Sequence, residues 1–319
     1  MWFSREYCPG FTKKDSSGKK QCFVVILYAS VALVMSFFVP IPSISADELP
    51  VEDLYVQSKG GTLREPSQQE QDKVERLFLR VLKGDRSAPV VEEWARLDMR
   101  MIRTTHEGRD FTVLIEDENH KHGRGFFVFP EKPDKPIGLF VPHRFTDEMT
   151  GAIGLSLARE NPFTVIAWNT VKRRGRGEPP ENWDLGKLRL SYFVALTRAF
   201  AEAIPQGYHV QIHGFVKTKR RTAAADQSDA IVSAGTNHPR AELLRLRDCL
   251  QGKGLGRVLV YPTDVRELGA TKNISGIVLR EMGNRGFVHI EMNVELRKRL
   301  KDEREARRAF ADCLIRELR

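Results

Sequence analysis

From residue 111 onward, short apolar runs alternate with longer amphipathic stretches. The runs at 111–115, 125–129, 137–141, 163–168, 208–212, 257–261 and 287–292 have the length and the β-branched and aromatic content of strands. Between them, 150–160, 187–204, 239–251 and 294–318 repeat apolar residues at helical spacing, the last with Leu296, Leu300, Phe310 and Leu314 among many charges. Such alternation predicts an α/β domain over 106–319, with a mixed, mostly parallel sheet covered by helices on both faces and chemistry at the carboxyl ends of its strands. Upstream, Val74, Leu77, Phe78, Val81 and Leu82 predict a helix over 67–84, with Ser67 as its N-cap and Gly84 as its stop. A second short helix over 90–101 would make 47–105 a helical lead-in.

The N-terminus has a different texture. Lys13, Lys14, Lys19 and Lys20 precede residues 21–46, which carry no charge, and the apolar run from Cys22 to Ile41 is broken by Pro40 and Pro42. A run of about twenty residues spans roughly 30 Å of hydrocarbon as a helix, with the lysines on the cytoplasmic side. Residues 1–46 therefore read as a signal peptide or a membrane anchor, with Ser43-Ile44-Ser45-Ala46 offering small residues to a signal peptidase. Either outcome places the remainder in the periplasm or outside the cell, or holds it at the inner membrane through residues 21–42.

The formal charge of +9 on 319 residues suggests a nucleic-acid partner until it is divided. Beyond residue 46 there are 46 basic and 40 acidic side chains, an excess that suits an acidic substrate equally well. No zinc-finger, RRM or basic-zipper pattern accompanies it, so nucleic acid is not an expected partner. Of four cysteines, Cys8 and Cys22 precede or open the apolar run. Cys249 and Cys313 lie in helical patterns and are either a disulfide or two buried thiols.

The candidate chemistry stands at the ends of three predicted strands. After 137–141 come His143, Asp147 and Glu148; at the end of 208–212 comes His213; and in 287–292 His289 and Glu291 share the face opposite Val288 and Ile290. A histidine with a nearby carboxylate, a second histidine on another strand end and a free glutamate are the parts of a three-ligand zinc site with an open position. Zinc acidifies water, and Glu291 is placed to accept the proton. Asp147 competes with Glu148 for the carboxylate role. His209 shares a strand face with His213 and competes with it, although its place further back in the strand suits a buried structural role. His106, His120, His122 and His238 fall in loop-like surroundings. The basic run Lys217-Thr218-Lys219-Arg220-Arg221 comes just after His213 and is expected to border the cleft.

These residues resemble the poly-γ-glutamate hydrolase and N-formylglutamate amidohydrolase group, itself similar in fold to zinc carboxypeptidases. The phage poly-γ-glutamate hydrolases bind zinc through a histidine, a glutamate five residues later and a distant second histidine, with a catalytic glutamate near the end. Those positions fall here on His143, Glu148, His213 and Glu291. The stretch from Leu268 to Gly276 is similar to the group's TNxQG segment, which helps bind the substrate carboxylate, and His289 to Asn293 is similar to its H-x-E-x-N strand. Asn169 to Arg174 and Asp184 stand where the amidohydrolases carry an Asn-Arg and an Asp-rich loop. The resemblance covers about residues 137–300. It departs at Ser275, where glutamine is usual, and at Ile277, where an arginine often follows the glycine; Asn273 remains as a substrate contact, and Arg280 or Arg285 would supply the missing charge.

The resemblance implies an extracytoplasmic, Zn2+-dependent hydrolase of an amide bond in an acidic peptide, an N-acyl amino acid or a cell-wall peptide. A catalytically degenerate binding protein of the same fold, tethered to the membrane, is the rival expectation.

Overall fold

In the computed structural model, which describes residues 49–175 and 182–319, three helices come first: α1 (Val51–Gln57), α2 (Gln68–Leu82) and α3 (Ala88–Ala95). Strands β1 (Met99–His106), β2 (Arg109–Glu116), β3 (Phe126–Pro130) and β4 (Lys135–Val141) come next, then α4 (Thr150–Glu160), β5 (Phe163–Trp168), α5 (Tyr192–Ala203) and β6 (Tyr208–Gly214). The chain closes with α6 (Ala223–Asp226), β7 (Ala230–Ser233), α7 (Ala241–Gly252), β8 (Val258–Val260), α8 (Ile274–Glu281), β9 (Phe287–Met292), α9 (Val294–Asp302) and α10 (Arg304–Glu317). Residues 46–319 form one unit. The apolar run 22–41 lies outside the described residues; among those described, no helix is long and apolar enough to cross a membrane.

The nine strands of the described residues join one sheet in the order β1-β2-β3-β5-β4-β6-β9-β7-β8. Period-two alternation sorts their side chains into two cores. Ile137, Leu139, Val141, Val210, Ile212, Val288 and Ile290 face α1, α4, α7, α9 and α10, while Phe127, Phe129, Phe140 and Val165 face α2, α3 and α5. Phe78 of α2 packs its ring 4.9 Å from both Trp94 and Phe127. Full burial of one such side chain is worth about 1.5–3 kcal/mol, so α2 and α3 dock as part of the domain.

The sheet is mixed but not mostly parallel. The pairs β4–β5, β4–β6, β6–β9 and β7–β8 are parallel, and β1–β2, β2–β3, β3–β5 and β7–β9 are antiparallel. Local sequence dictates part of this. Glu107 and Gly108 both have positive φ, 47° and 74°, and a two-residue turn of that kind forces an antiparallel hairpin. The stretch 90–101 is accordingly not one helix: α3 ends at Ala95, and Met99 begins an edge strand, so 47–105 is not purely helical.

Caps fix several helix starts. Ser67 Oγ accepts from the Glu70 amide at 3.1 Å, Asn273 Oδ1 from the Ser275 amide at 3.0 Å, and Asn293 Oδ1 from the Leu296 amide at 2.7 Å, each satisfying an amide the helix leaves unpaired. The long helix expected over 294–318 is two, α9 and α10, meeting at Glu303 in an extended conformation. Cys249 of α7 and Cys313 of α10 form a disulfide with a Cα–Cα distance of 5.7 Å.

Candidate metal centre

The parallel strands β4, β6 and β9 sit side by side, and their carboxyl ends deliver the site. His143 lies two residues past β4, His213 is the penultimate residue of β6, and Glu291 is paired in register with His213 across β9. Past His143 the chain makes a single helical turn, the amides of Thr146 and Asp147 both donating to the His143 carbonyl at 3.0 and 2.9 Å. One turn brings back residue i+4, not i+5. Asp147 therefore returns over His143, while Glu148 is exposed and its carbonyl accepts from Arg297 Nη1. The structure does not bring Glu148 into the cluster; the acid there is Asp147.

Three atoms converge. His143 Nδ1 and His213 Nδ1 are 3.1 Å apart, His213 Nδ1 is 3.2 Å from Asp147 Oδ2, and His143 Nδ1 is 3.5 Å from the same oxygen. A tetrahedral ion with ligands at roughly 2.0–2.1 Å has ligand–ligand edges of about 3.3 Å, so the triangle fits one face of such a polyhedron. Both histidines are turned so that their other nitrogen is engaged: His143 Nε2 lies 2.8 Å from Asp184 Oδ1, and His213 Nε2 lies 3.2 Å from Gln211 Oε1. With Nε2–H donating outward, each neutral imidazole aims its Nδ1 lone pair at the other and at a carboxylate. A proton or a metal ion would satisfy such a focus.

Titration behaviour agrees with that geometry. Burial disfavours the charged form of His143, yet Asp147 and Asp184 together raise it to about 9. Burial likewise pushes Asp147 and Asp184 up, but the histidines, and Arg173 beside Asp184, hold both carboxyls well below the usual range. His213 is pushed down, chiefly by burial. Asp184 is itself fixed by Arg173, whose Nε and Nη2 donate to Oδ2 at 2.9 and 2.6 Å. A histidine backed by a carboxylate in this way is a common support for a metal ligand.

Glu291 stands beside the triangle without belonging to it. Its Oε2 has no hydrogen-bond partner, and its nearest basic neighbour, His289 Nε2, is 3.8 Å from Oε1. Burial first, and the charge of Asp147 second, push its carboxyl up to about 8, the range of a group that exchanges protons near neutrality. A second set of potential ligands, His213, His289 and Glu291, overlaps the first through His213. The site opens into a cleft of about 410 Å³ bordered by Arg173, Lys187, Lys272 and the 268–273 loop.

Other expected residues fall elsewhere. Asn273 does line the cleft, but its Nδ2 donates to Gln211 Oε1 at 2.7 Å, which makes it a support for the Gln211–His213 pair. Arg280 is exposed at the far end of α8 in a separate cavity with Arg285. The basic run is paired, Lys217 with Asp229 at 3.5 Å and Arg220 with Glu267 at 3.8 Å, and the charge of Arg220 still reaches Glu291 in the cleft. His209 is fully buried, stacked on Phe140 with ring centroids 3.5 Å apart. Gln211 escaped sequence reasoning; its signal was its place between His209 and His213 on the polar face of an otherwise apolar strand.

No family model matches the chain, and no curated protein does. Solved structures match it at low identity. An N-formylglutamate amidohydrolase from Ralstonia eutropha JMP134 is 13% identical over 61% of this chain and 97% of its own, with a TM-score of 0.38. A bacteriophage poly-γ-glutamate hydrolase is 11% identical over 58% and 84%, with a TM-score of 0.31. An aspartoacylase family protein from Mesorhizobium loti MAFF303099 is 13% identical over 66% of each chain, with a TM-score of 0.34. The group that the sequence motifs resemble is among these matches. At such identities and scores no activity transfers, and the chemistry must come from the residues themselves.

Proposed function

We propose that the chain is a metal-dependent hydrolase of an amide bond. The observation that carries this reading is the triangle of His143 Nδ1, His213 Nδ1 and Asp147 Oδ2, with edges of 3.1, 3.2 and 3.5 Å, beside an unpaired glutamate. Two imidazoles and one carboxylate suit Zn2+ better than Mg2+ or Ca2+, which prefer all-oxygen sets. Bound there, zinc supplies Lewis-acid polarisation of a carbonyl and lowers the pKa of water. The chain does the rest. Asp184 and Gln211 hold the two rings in the tautomer that presents Nδ1, and Glu291 Oε2 is free to take a proton and return it to a leaving amine.

Arg173, Lys187 and Lys272 line the cleft, which favours a substrate bearing carboxylates, such as an acidic peptide or an N-acyl amino acid. Activity outside the cytoplasm is supported by the lysine-flanked apolar run, which would also hold the chain to the inner membrane if uncleaved, and by the Cys249–Cys313 disulfide, which suits an oxidising compartment. A reporter that works only outside the cytoplasm, fused after Gly60, should be active; silence there refutes export.

The binding-protein reading has one observation of its own. Ser275 is buried and Ile277 half-buried on α8, and Arg280 lies in another cavity, so the first turn of α8 presents no guanidinium to a substrate carboxylate. Metal analysis of the purified full chain, followed by assay on poly-γ-glutamate, N-acyl amino acids and wall peptides, separates the readings. About one equivalent of zinc with turnover supports the hydrolase. Zinc without turnover favours the binding protein, and absence of zinc sinks both.

A further inference from the structure

At the amino end of β9, away from the metal centre, the surface carries an open cavity of about 480 Å³ lined by Arg240, Arg280, Arg285, His238, Asn284 and Phe287, with small residues between them. Glu291 is four positions beyond Phe287 on that strand, about 13 Å at strand rise, and the cavity shares no lining residue with the cleft. We propose that it is a binding site for a phosphomonoester, whose phosphate sits among the three guanidiniums and whose apolar portion lies against Phe287 and Ala234.

The first ground is unbalanced charge. Among the described residues Arg280 and Arg285 make no hydrogen bond or ion pair. Arg240 has only a long contact of 3.8 Å to Glu242 and a 3.4 Å bond from Nη2 to the Phe287 carbonyl. Its Nε is buried without a partner. Burial chiefly lowers the pKa of Arg240; Glu242 and Tyr208 act against that, and the charge of Arg285 adds to it. The next carboxylate along α8, Glu281, is already held by Arg189 at 3.0 Å. The three guanidiniums line the cavity with Glu242 3.8 Å from Arg240 and with Glu281, which Arg280 also influences, engaged by Arg189, so positive charge is in excess there. A phosphomonoester carries about −1.5 to −2 at pH 7.

The second ground is shape and chemistry. A guanidinium presents a planar fork of donors that matches phosphate oxygens, and Arg240 is already ordered by its position over the Tyr208 ring, 5.6 Å from the centroid. Ala234 and Phe287 supply an apolar wall that inorganic phosphate would not use. Phenyl phosphate should therefore bind more tightly than inorganic phosphate, and benzoate, with one charge, more weakly than either.

Calorimetric titration of the full chain with phenyl phosphate, inorganic phosphate and benzoate tests this. The wild type should bind phenyl phosphate in that order of preference. The R280Q/R285Q double variant, altered at two surface arginines, should bind at least about tenfold more weakly, since hydrogen bonds from charged donors are the stronger ones. The K187Q/K272Q variant, altered in the cleft, should bind as the wild type does. No binding at millimolar phenyl phosphate, equal binding by R280Q/R285Q, or loss in K187Q/K272Q would each overturn the proposal. Repeating the titration on His143→Ala keeps the outcome separate from that of the metal centre: binding should persist there whether or not zinc does.

Discussion

His209 and His213 lie four residues apart on one face of one strand and have opposite fates. His209, at the rear of β6, is enclosed by Phe140, Phe287 and Thr197, with Nε2 3.1 Å from the threonine hydroxyl. Burial without a carboxylate pushes it down to about 3. His213, at the front, meets Asp147 and the His143 ring. Strand position alone separates them: the rear of a central strand is covered by α5 and its aromatic core, whereas the front is where loops bring polar groups together. On this buried strand face only the front histidine meets a carboxylate.

The contrast breaks most directly at the metal. His213→Ala, His143→Ala and Asp147→Asn should each remove most bound zinc, because three protein ligands are the minimum for an open catalytic site. His209→Ala should retain zinc and instead lose on the order of 2–4 kcal/mol of stability, as large-to-small core changes do. Glu148→Gln should alter neither. Metal analysis alongside denaturant unfolding decides it; zinc lost from His209→Ala but kept in His213→Ala would reverse the assignment.

Next in size is Glu291. Glu291→Gln keeps the volume but cannot accept a proton, and should cost on the order of 10²- to 10⁴-fold in kcat on whichever amide substrate turns over. Zinc content should stay unchanged. Loss of zinc would make Glu291 a ligand, in the set it shares with His213 and His289; full activity would place the proton acceptor elsewhere.

A smaller effect is expected one contact further out. Asp184→Asn preserves shape but weakens the hold on His143 Nε2 and frees Arg173, and such supporting groups typically contribute 10- to 100-fold in metal affinity. Competition with a chromophoric chelator measures this, and an affinity within twofold of wild type would show that Asp184 serves only Arg173.

These residues mark how far the sequence could be read. The strands β4, β6 and β9 were legible because each is a short apolar run, and His143, His213 and Glu291 because they stand at strand ends. Asp147 was legible only as a competitor to Glu148, since spacing from a family pattern suggests i+5 and the one-turn closure after His143 selects i+4. Gln211 and Asp184 act through contacts 2 and 41 residues distant from their histidines, and no periodicity reports the longer of these. Met99–His106 mixes charge with apolar residues because it is an edge strand exposed on one side, so its period-two signal is weak. Arg280 lies outside the cleft because the start of α8 reaches it through Asn273, whereas two helical turns carry the other end of the helix to the cavity at the amino end of β9.

The smallest and most local test concerns the pH dependence of stability. His209 is held neutral, with its pKa lowered from 6.5 to about 3 by burial. In the unfolded chain it takes up a proton below about 6.5, so between 6.5 and 3 the unfolded state binds more protons than the folded one. Its contribution to stability is therefore complete above pH 6.5 and is lost as the pH falls toward 3, with a slope of at most about 1.4 kcal/mol per pH unit. His209→Gln cannot titrate and can still bond Thr197. Compared in metal-free protein, the variant should be less stable than wild type at neutral pH, and the gap should close as the pH falls from 6.5. Parallel stability curves would mean that water or a carboxylate reaches His209, and that the rear of β6 differs less from its front than the packing around Phe140 implies.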